Sequence, residues 1–183
     1  MHKPAHVIEI FLQPGEVYFG ERDTRIRTLL GSCVSITVWH PQKLIGGMCH
    51  YMLPARSKHP GGELDGKFAD EAMDMLLREI RAANTKPAEY QVKLFGAGNM
   101  FPLTSHPDCR SCTLETAYHR PEGVCPKVSC RNRQVAYYLA EKHGFLISAE
   151  HLGDTGYRNV FFDIWSGHVW VRHQSLINRD HNK

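Results

Sequence analysis

No stretch of this 183-residue chain approaches the roughly 20 consecutive apolar residues that cross a bilayer, which excludes a helical membrane span. A signal-peptide pattern is missing as well, because the apolar segment from Val7 to Leu12 is short and interrupted by Glu9. Charge of one sign is not in excess. Lys and Arg number 22 against 19 Asp and Glu, a formal charge of +3, too balanced for a dedicated nucleic-acid binder. Arg22, Arg25 and Arg27 make a short basic cluster that reads as a solvated face. There is no internal repeat and no low-complexity tract. Gly96-Ala97-Gly98-Asn99 lacks the third glycine and the following helix of a dinucleotide fingerprint. The expectation that remains is a cytoplasmic single domain over 1–183 with enough apolar content, 42%, to bury a core. Six cysteines in such a compartment point to metal binding or catalysis before disulfides.

Periodicity supplies the elements. His6 to Leu12 and Glu16 to Phe19 read as strands around the Pro14-Gly15 turn. Ala69, Ala72, Met73, Leu76 and Ile80 recur at helical spacing, so 67–83 reads as an amphipathic helix, with Asp65 as a candidate N-cap. Gln91 to Phe95 is a strand. A second helix spans about 132–143, with Val135, Tyr138 and Leu139 on one face and Gly144 as its stop. Strands follow at 145–149, 160–164 and 168–172, the last two joined across Ser166-Gly167. Strands outnumber helices and do not alternate with them, which favours α+β over a doubly wound sheet.

Chemistry concentrates around Cys33 and His50. Leu29 to Trp39 reads as one strand of a hairpin, with Val34, Ile36 and Val38 alternating after Cys33, and Leu44 to Pro54 as the strand that faces it. A tight turn centred on Pro41 and Gln42 pairs Trp39 with Leu44 and, counting back, Cys33 with His50. Directly opposed residues have Cβ atoms about 4.5–5.5 Å apart, near enough for an imidazole to take a thiol proton. The plainer reading is a small buried thiol and a core histidine. Gly46 and Gly47 also invite a bulge, which would carry His50 to the other face. Asn99 could offer its amide to a substrate, or serve as a turn residue.

Residues 101–131 form a Cys-rich segment. Cys109 and Cys112 make a Cys-x2-Cys pair, and Cys125 and Cys130 add two thiols, a set that suits a structural tetrahedral zinc ion. A loop of that length without periodicity needs something to order it. A zinc-dependent hydrolase is disfavoured, since four thiolates leave no open coordination position.

Five motifs in order then mark a resemblance: Thr28-Leu29-Leu30-Gly31-Ser32-Cys33-Val34, Gly47-Met48-Cys49-His50-Tyr51-Met52-Leu53-Pro54, Phe68-Ala69-Asp70-Glu71-Ala72-Met73, Phe95-Gly96-Ala97-Gly98-Asn99-Met100 and Leu152-Gly153-Asp154-Thr155-Gly156-Tyr157-Arg158. Together they resemble the chemoreceptor glutamine deamidase family, CheD. The resemblance implies a layered α+β sandwich flanked by helices, similar to the catalytic domains of deamidating cytotoxic necrotizing factor toxins. It implies hydrolysis of glutamine carboxamides on the cytoplasmic domains of methyl-accepting chemoreceptors, without a catalytic cofactor. Cys33 falls on the family nucleophile and His50 on the family histidine. The family's third group, a threonine shortly before the cysteine, matches Thr28, although an ungapped comparison puts that position at Arg27. Ser32, with Cys33, is the natural source of backbone donors for an oxyanion. Members also bind CheC-type phosphatases, so an adaptor role is the alternative. The segment 101–131 reads as an insertion into the family pattern.

Overall fold

A computed structural model describes residues 2–56, 61–101 and 127–176. Among these residues nine strands and two α-helices follow in the order β1 (Ile8–Phe11), β2 (Val17–Gly20), β3 (Thr24–Leu30), β4 (Val34–His40), β5 (Ile45–Cys49), α1 (Ala69–Ala82), β6 (Gln91–Gly96), α2 (Val128–Lys142), β7 (Leu146–Leu152), β8 (Tyr157–Asp163) and β9 (His168–Gln174). The strands make two sheets, one ordered β1-β3-β8-β9 and the other β2-β5-β4-β6-β7.

The burial of β4 explains how the layers stack. All seven of its residues are buried, so it is covered on both faces. Val34, Ile36 and Val38 pack with Ala72, Met73, Leu76 and Ile80 of α1 and with Val135, Ala136 and Leu139 of α2. Trp39, on the opposite face, joins Met48 and Phe95 against Ile26, Leu30, Val160 and Phe162 of the four-stranded sheet. The result is three layers: both helices, the five-stranded sheet, then the four-stranded sheet. Each fully buried aliphatic side chain contributes roughly 1.5–3 kcal/mol, so the doubly covered central strand anchors the domain.

Several local expectations change. The stretch from Leu29 to Trp39 is not one strand. Its first part belongs to β3 in one sheet and its second to β4 in the other, with Gly31, Ser32 and Cys33 crossing between them. Likewise β1 and β2 do not pair with each other: β1 runs parallel to β3 and β2 antiparallel to β5. Arg25 is no solvated charge, because its Nε and Nη2 donate to Asp163 at 2.6 and 3.0 Å. Asp65 does not cap α1; its carboxylate accepts from the Lys67 amide at 3.0 Å, and the N-cap residue is Phe68. The helix expected at 132–143 begins at Val128, so the last residues assigned to the Cys-rich insertion belong to α2.

No bulge forms at Gly46-Gly47. Both glycines are there for close approach: a Cβ on Gly46 would lie 2.5 Å from the Val38 carbonyl oxygen, and one on Gly47 2.9 Å from Leu76 of α1. The hairpin register is shifted instead. His40 pairs with Ile45 and Thr37 with Met48, and Val34 bridges Tyr51. The loop therefore runs from Pro41 to Leu44, closed by the Leu44 amide donating to the His40 carbonyl at 3.0 Å, with Leu44 at φ 52. A displacement of two residues keeps every side chain on its predicted face.

Candidate active site

The crossing segment Gly31-Ser32-Cys33 is held by its carbonyls. Gly31 O accepts from the Gly98 amide at 2.8 Å, Ser32 O from Asn132 Nδ2 at 3.2 Å, and Cys33 O from the Ala97 amide at 2.7 Å. Close approach of backbones explains the Gly-Ala-Gly turn. A Cβ on Gly96 would stand 2.2 Å from Cys33 O, and one on Gly98 2.2 Å from Gly156 O. The turn thus braces the cysteine segment. Among the described residues, the amides of Ser32 and Cys33 have no hydrogen-bond acceptor in another residue.

His50 follows β5 and is only 2% exposed. Its amide donates to Glu16 O at 2.9 Å and its carbonyl accepts from the Gly15 amide at 2.7 Å, which fixes the backbone. The register found for the hairpin places Met52, not His50, opposite Cys33. Extended by that register, Cys33 and His50 are diagonal neighbours on one face, about 7–8 Å apart, a gap that an aromatic side chain such as the imidazole can span.

Thr28 reaches the imidazole from the other sheet. Its Oγ1 donates to Leu12 O at 2.7 Å and lies 2.8 Å from His50 Nδ1. A hydroxyl has one proton, and the Leu12 carbonyl only accepts. Thr28 Oγ1 therefore accepts from Nδ1–H, and the neutral ring keeps its lone pair on Nε2. Nε2 is buried and has no partner among the described residues. Burial lowers the His50 pKa to about 4, against small upward contributions from the Leu12 carbonyl and Glu16. Arg27, the competing match, pairs instead with Glu9 at 2.9 Å and is half exposed.

Burial also raises the Cys33 thiol above its ordinary value, partly offset by its own amide. The resting pair is thus a neutral thiol and a neutral imidazole, and a base must act as the thiol attacks. Cys49 lies on the helix-facing side of β5, fully buried, and burial pushes its thiol up to about 12. Iodoacetamide at pH 8 is therefore expected to label Cys33 at least about tenfold faster than Cys49. Peptide mapping after timed alkylation measures both rates, and equal rates in folded protein would contradict this picture.

Asn99 and Cys130 are the remaining sequence candidates among the described residues. Asn99 Oδ1 accepts from the Phe101 amide at 3.1 Å, so that side chain closes a turn. It also lines a cavity of about 250 Å³ with Cys130, Arg133 and Asp154. Cys130 sits in the first turn of α2, while Cys109, Cys112 and Cys125 lie outside the described residues. Among the described residues no group of three or more His, Cys, Asp or Glu side chains is placed to hold a metal. Leu12 and Asn132 were not legible as site residues: one contributes a carbonyl and the other arrives on a helix a hundred positions away from Ser32.

The fold and site define a two-sheet α+β protein with a thiol, an imidazole and a hydroxyl gathered at the end of the layer between its sheets. The chain belongs to the family described as CheD chemotactic sensory transduction, whose model matches residues 52–173. It is 50% identical over 176 residues to a probable chemoreceptor glutamine deamidase CheD of Pseudomonas savastanoi pv. phaseolicola, covering 96% of this chain and 90% of the relative. A protein of the same name from Pseudomonas syringae pv. syringae is 49% identical, with the same coverage. A probable chemoreceptor glutamine deamidase CheD 1 of Leptospira interrogans is 39% identical over 92% of this chain and 95% of its own length. No helix among the described residues is long and apolar enough to cross a membrane.

Proposed function

We propose that this protein is a chemoreceptor glutamine deamidase that acts in the cytoplasm, hydrolysing glutamine side chains on receptor cytoplasmic domains. The observation that carries the mechanism is the Nε2 of His50, unpartnered among the described residues and kept as a lone pair by the Thr28–Leu12 relay. Cys33 Sγ attacks the carboxamide carbon as Nε2 takes the thiol proton. The carbonyl oxygen becomes an oxyanion, for which the amides of Ser32 and Cys33, without acceptors among the described residues, are the donors at hand. Collapse of this intermediate breaks the C–N bond, and the imidazolium gives its proton to the departing ammonia. A water, deprotonated by Nε2, then hydrolyses the thioester to glutamate and restores the thiol. No cofactor enters any step. Each turnover replaces a neutral amide with a carboxylate on a receptor helix, which changes the electrostatics between packed helices. A layered likeness to the deamidating cytotoxic necrotizing factor toxins belongs to the same reading.

The test is mass spectrometry of purified receptor cytoplasmic domains incubated with the protein. Specific glutamines are expected to gain about one dalton, the difference between amide and acid. Receptors unchanged after prolonged incubation with folded protein would remove the proposal and leave an adaptor that binds a CheC-type phosphatase as the better reading.

A further inference from the structure

The end of α2 nearest the site presents a fully buried polar side chain that the catalytic cluster does not include. Asn132 is 0% exposed. Its Nδ2 donates twice, to Ser32 O at 3.2 Å and to Met52 O at 2.8 Å. Both acceptors are carbonyls, so the orientation of the amide is fixed by chemistry. The consequence is that Oδ1 is left buried without a partner among the described residues. A buried acceptor left without a donor costs stability, so the arrangement is not the one that stability alone would choose. The same residue's backbone carbonyl accepts from Tyr51 Oη at 2.7 Å. Asn132 therefore grips the chain on both sides of the site: one residue before Cys33, and one and two residues after His50.

Peptide planarity turns this grip into a directional constraint. The carbonyl of Ser32 and the amide of Cys33 belong to one rigid trans unit and point in opposite directions. Holding Ser32 O on the α2 side aims the Cys33 N–H away from α2. That N–H has no acceptor in another described residue. The preceding peptide is held in the same way by the Gly98 amide on Gly31 O, which aims the Ser32 N–H. One anchor is main chain and part of the brace behind the segment. The other is a single side chain.

We infer that Asn132 is a positioning residue for the deamidation, pinning the Ser32–Cys33 peptide plane so that the Cys33 amide is aimed at the developing oxyanion, and tying that plane to the His50 segment through Met52. This rests on the cysteine mechanism proposed above. The loss of Asn132 acts on the transition state, because the oxyanion exists only there; substrate binding is untouched.

Steady-state kinetics on a receptor cytoplasmic domain test it with Asn132→Ala, or Asn132→Ser should the alanine variant not fold, beside Cys33→Ala and Tyr51→Phe. Asn132→Ala or Asn132→Ser is expected to lower kcat about 10- to 100-fold with KM within about twofold, since a lost oxyanion donor costs about 100- to 1000-fold and here the donor is misaimed rather than removed. Alkylation of Cys33 by iodoacetamide, which forms no oxyanion, is expected to stay within about threefold of the parent. Tyr51→Phe loosens the same helix without touching the Asn132 side chain, and kcat is expected within about threefold of the parent. A kcat within twofold of the parent in folded Asn132→Ala or Asn132→Ser overturns the inference. So does an equal loss in Tyr51→Phe, which would assign the effect to helix docking. Full activity of Cys33→Ala would instead remove the cysteine mechanism itself, a result readable whatever Asn132 does.

Discussion

Replacing Cys33 with alanine is expected to reduce glutamine deamidation by roughly 10,000-fold or more while the protein stays folded. The chemical part follows from the poor placement of the other nucleophiles among the described residues. Cys49 faces the helices with burial pushing its thiol up to about 12, and Ser35, which the same register sets across from His50, is fully buried within β4, where Cys33 is only partly buried and open to a substrate. The structural part follows from location. Cys33 is only partly buried at the end of the inter-sheet cluster, so losing its sulfur costs about 1 kcal/mol, or about 2–4 °C in a chain of this size. Deamidation rates by mass spectrometry and a thermal melt of the same sample check both halves. A variant that keeps even a hundredth of the parent rate would transfer the nucleophile's role to another group. A variant that is inactive in vitro yet restores taxis in cells would shift the emphasis to the adaptor reading.

How much of this could be read from the chain depends on whether the responsible contact is local. The faces of β4, the two amphipathic helices and the C-terminal hairpin follow from periodicity, because burial repeats at the spacing of the element itself. The break at Gly31 does not. Leu29 to Trp39 is apolar enough to be one strand, and only the competition between two sheets divides it, with β3 pairing to β8 and β4 to β6. The hairpin register was misplaced by two residues for a physical reason. A loop from Pro41 to Leu44 with Leu44 in the left-handed region carries no strong sequence signal, since leucine rarely adopts that conformation. The even displacement preserved the faces, and so Cys33 and His50 still share one. Met52, not His50, stands directly across from Cys33.

The site was legible where motifs carried it and silent where long-range backbone contacts did. Spacing alone does not separate Thr28 from Arg27, but the alternation of β3 sets them on opposite faces: Ile26, Thr28 and Leu30 point inward, with Thr28 against His50, and Arg27 points to Glu9 at the surface. Gly96 and Gly98 looked like a failed phosphate loop because their real function, letting two backbones meet behind the cysteine, leaves no local trace. Buried polar atoms without partners offer the signal that sequence lacks. Five are found among the described residues, and those of His50, Asn132, Arg131 and Ser35 lie on or next to the strands and helix around Cys33. Such atoms cost stability and concentrate where function requires them.

Acid is expected to weaken this fold through His50, and the sign follows from its burial. The folded-state pKa is about 4 against an ordinary 6.5, with desolvation the leading cause. Between those values the unfolded chain takes up a proton that the folded chain refuses. Stability is therefore full above about pH 6.5 and falls as pH drops toward 4, by at most about 3 kcal/mol for this one group. His143 and His151 are lowered in the same direction by burial, so the share of His50 must be read as a difference between proteins. His50→Asn provides it. The new Nδ2 can donate to Thr28 in place of Nδ1, but the side chain neither titrates nor acts as a base. Urea midpoints measured at pH 7 and pH 4.5 are expected to fall further in the parent than in His50→Asn. At neutral pH the variant is expected to lose deamidation by roughly 1,000-fold or more, since the imidazole that takes the thiol proton is gone. The parent, by contrast, is expected to hold its rate down to about pH 5, because the base stays neutral until its depressed pKa is approached. An activity limb near pH 6.5, or equal acid sensitivity of the two proteins, would mean that His50 titrates as an exposed histidine and is not the buried, Thr28-held base.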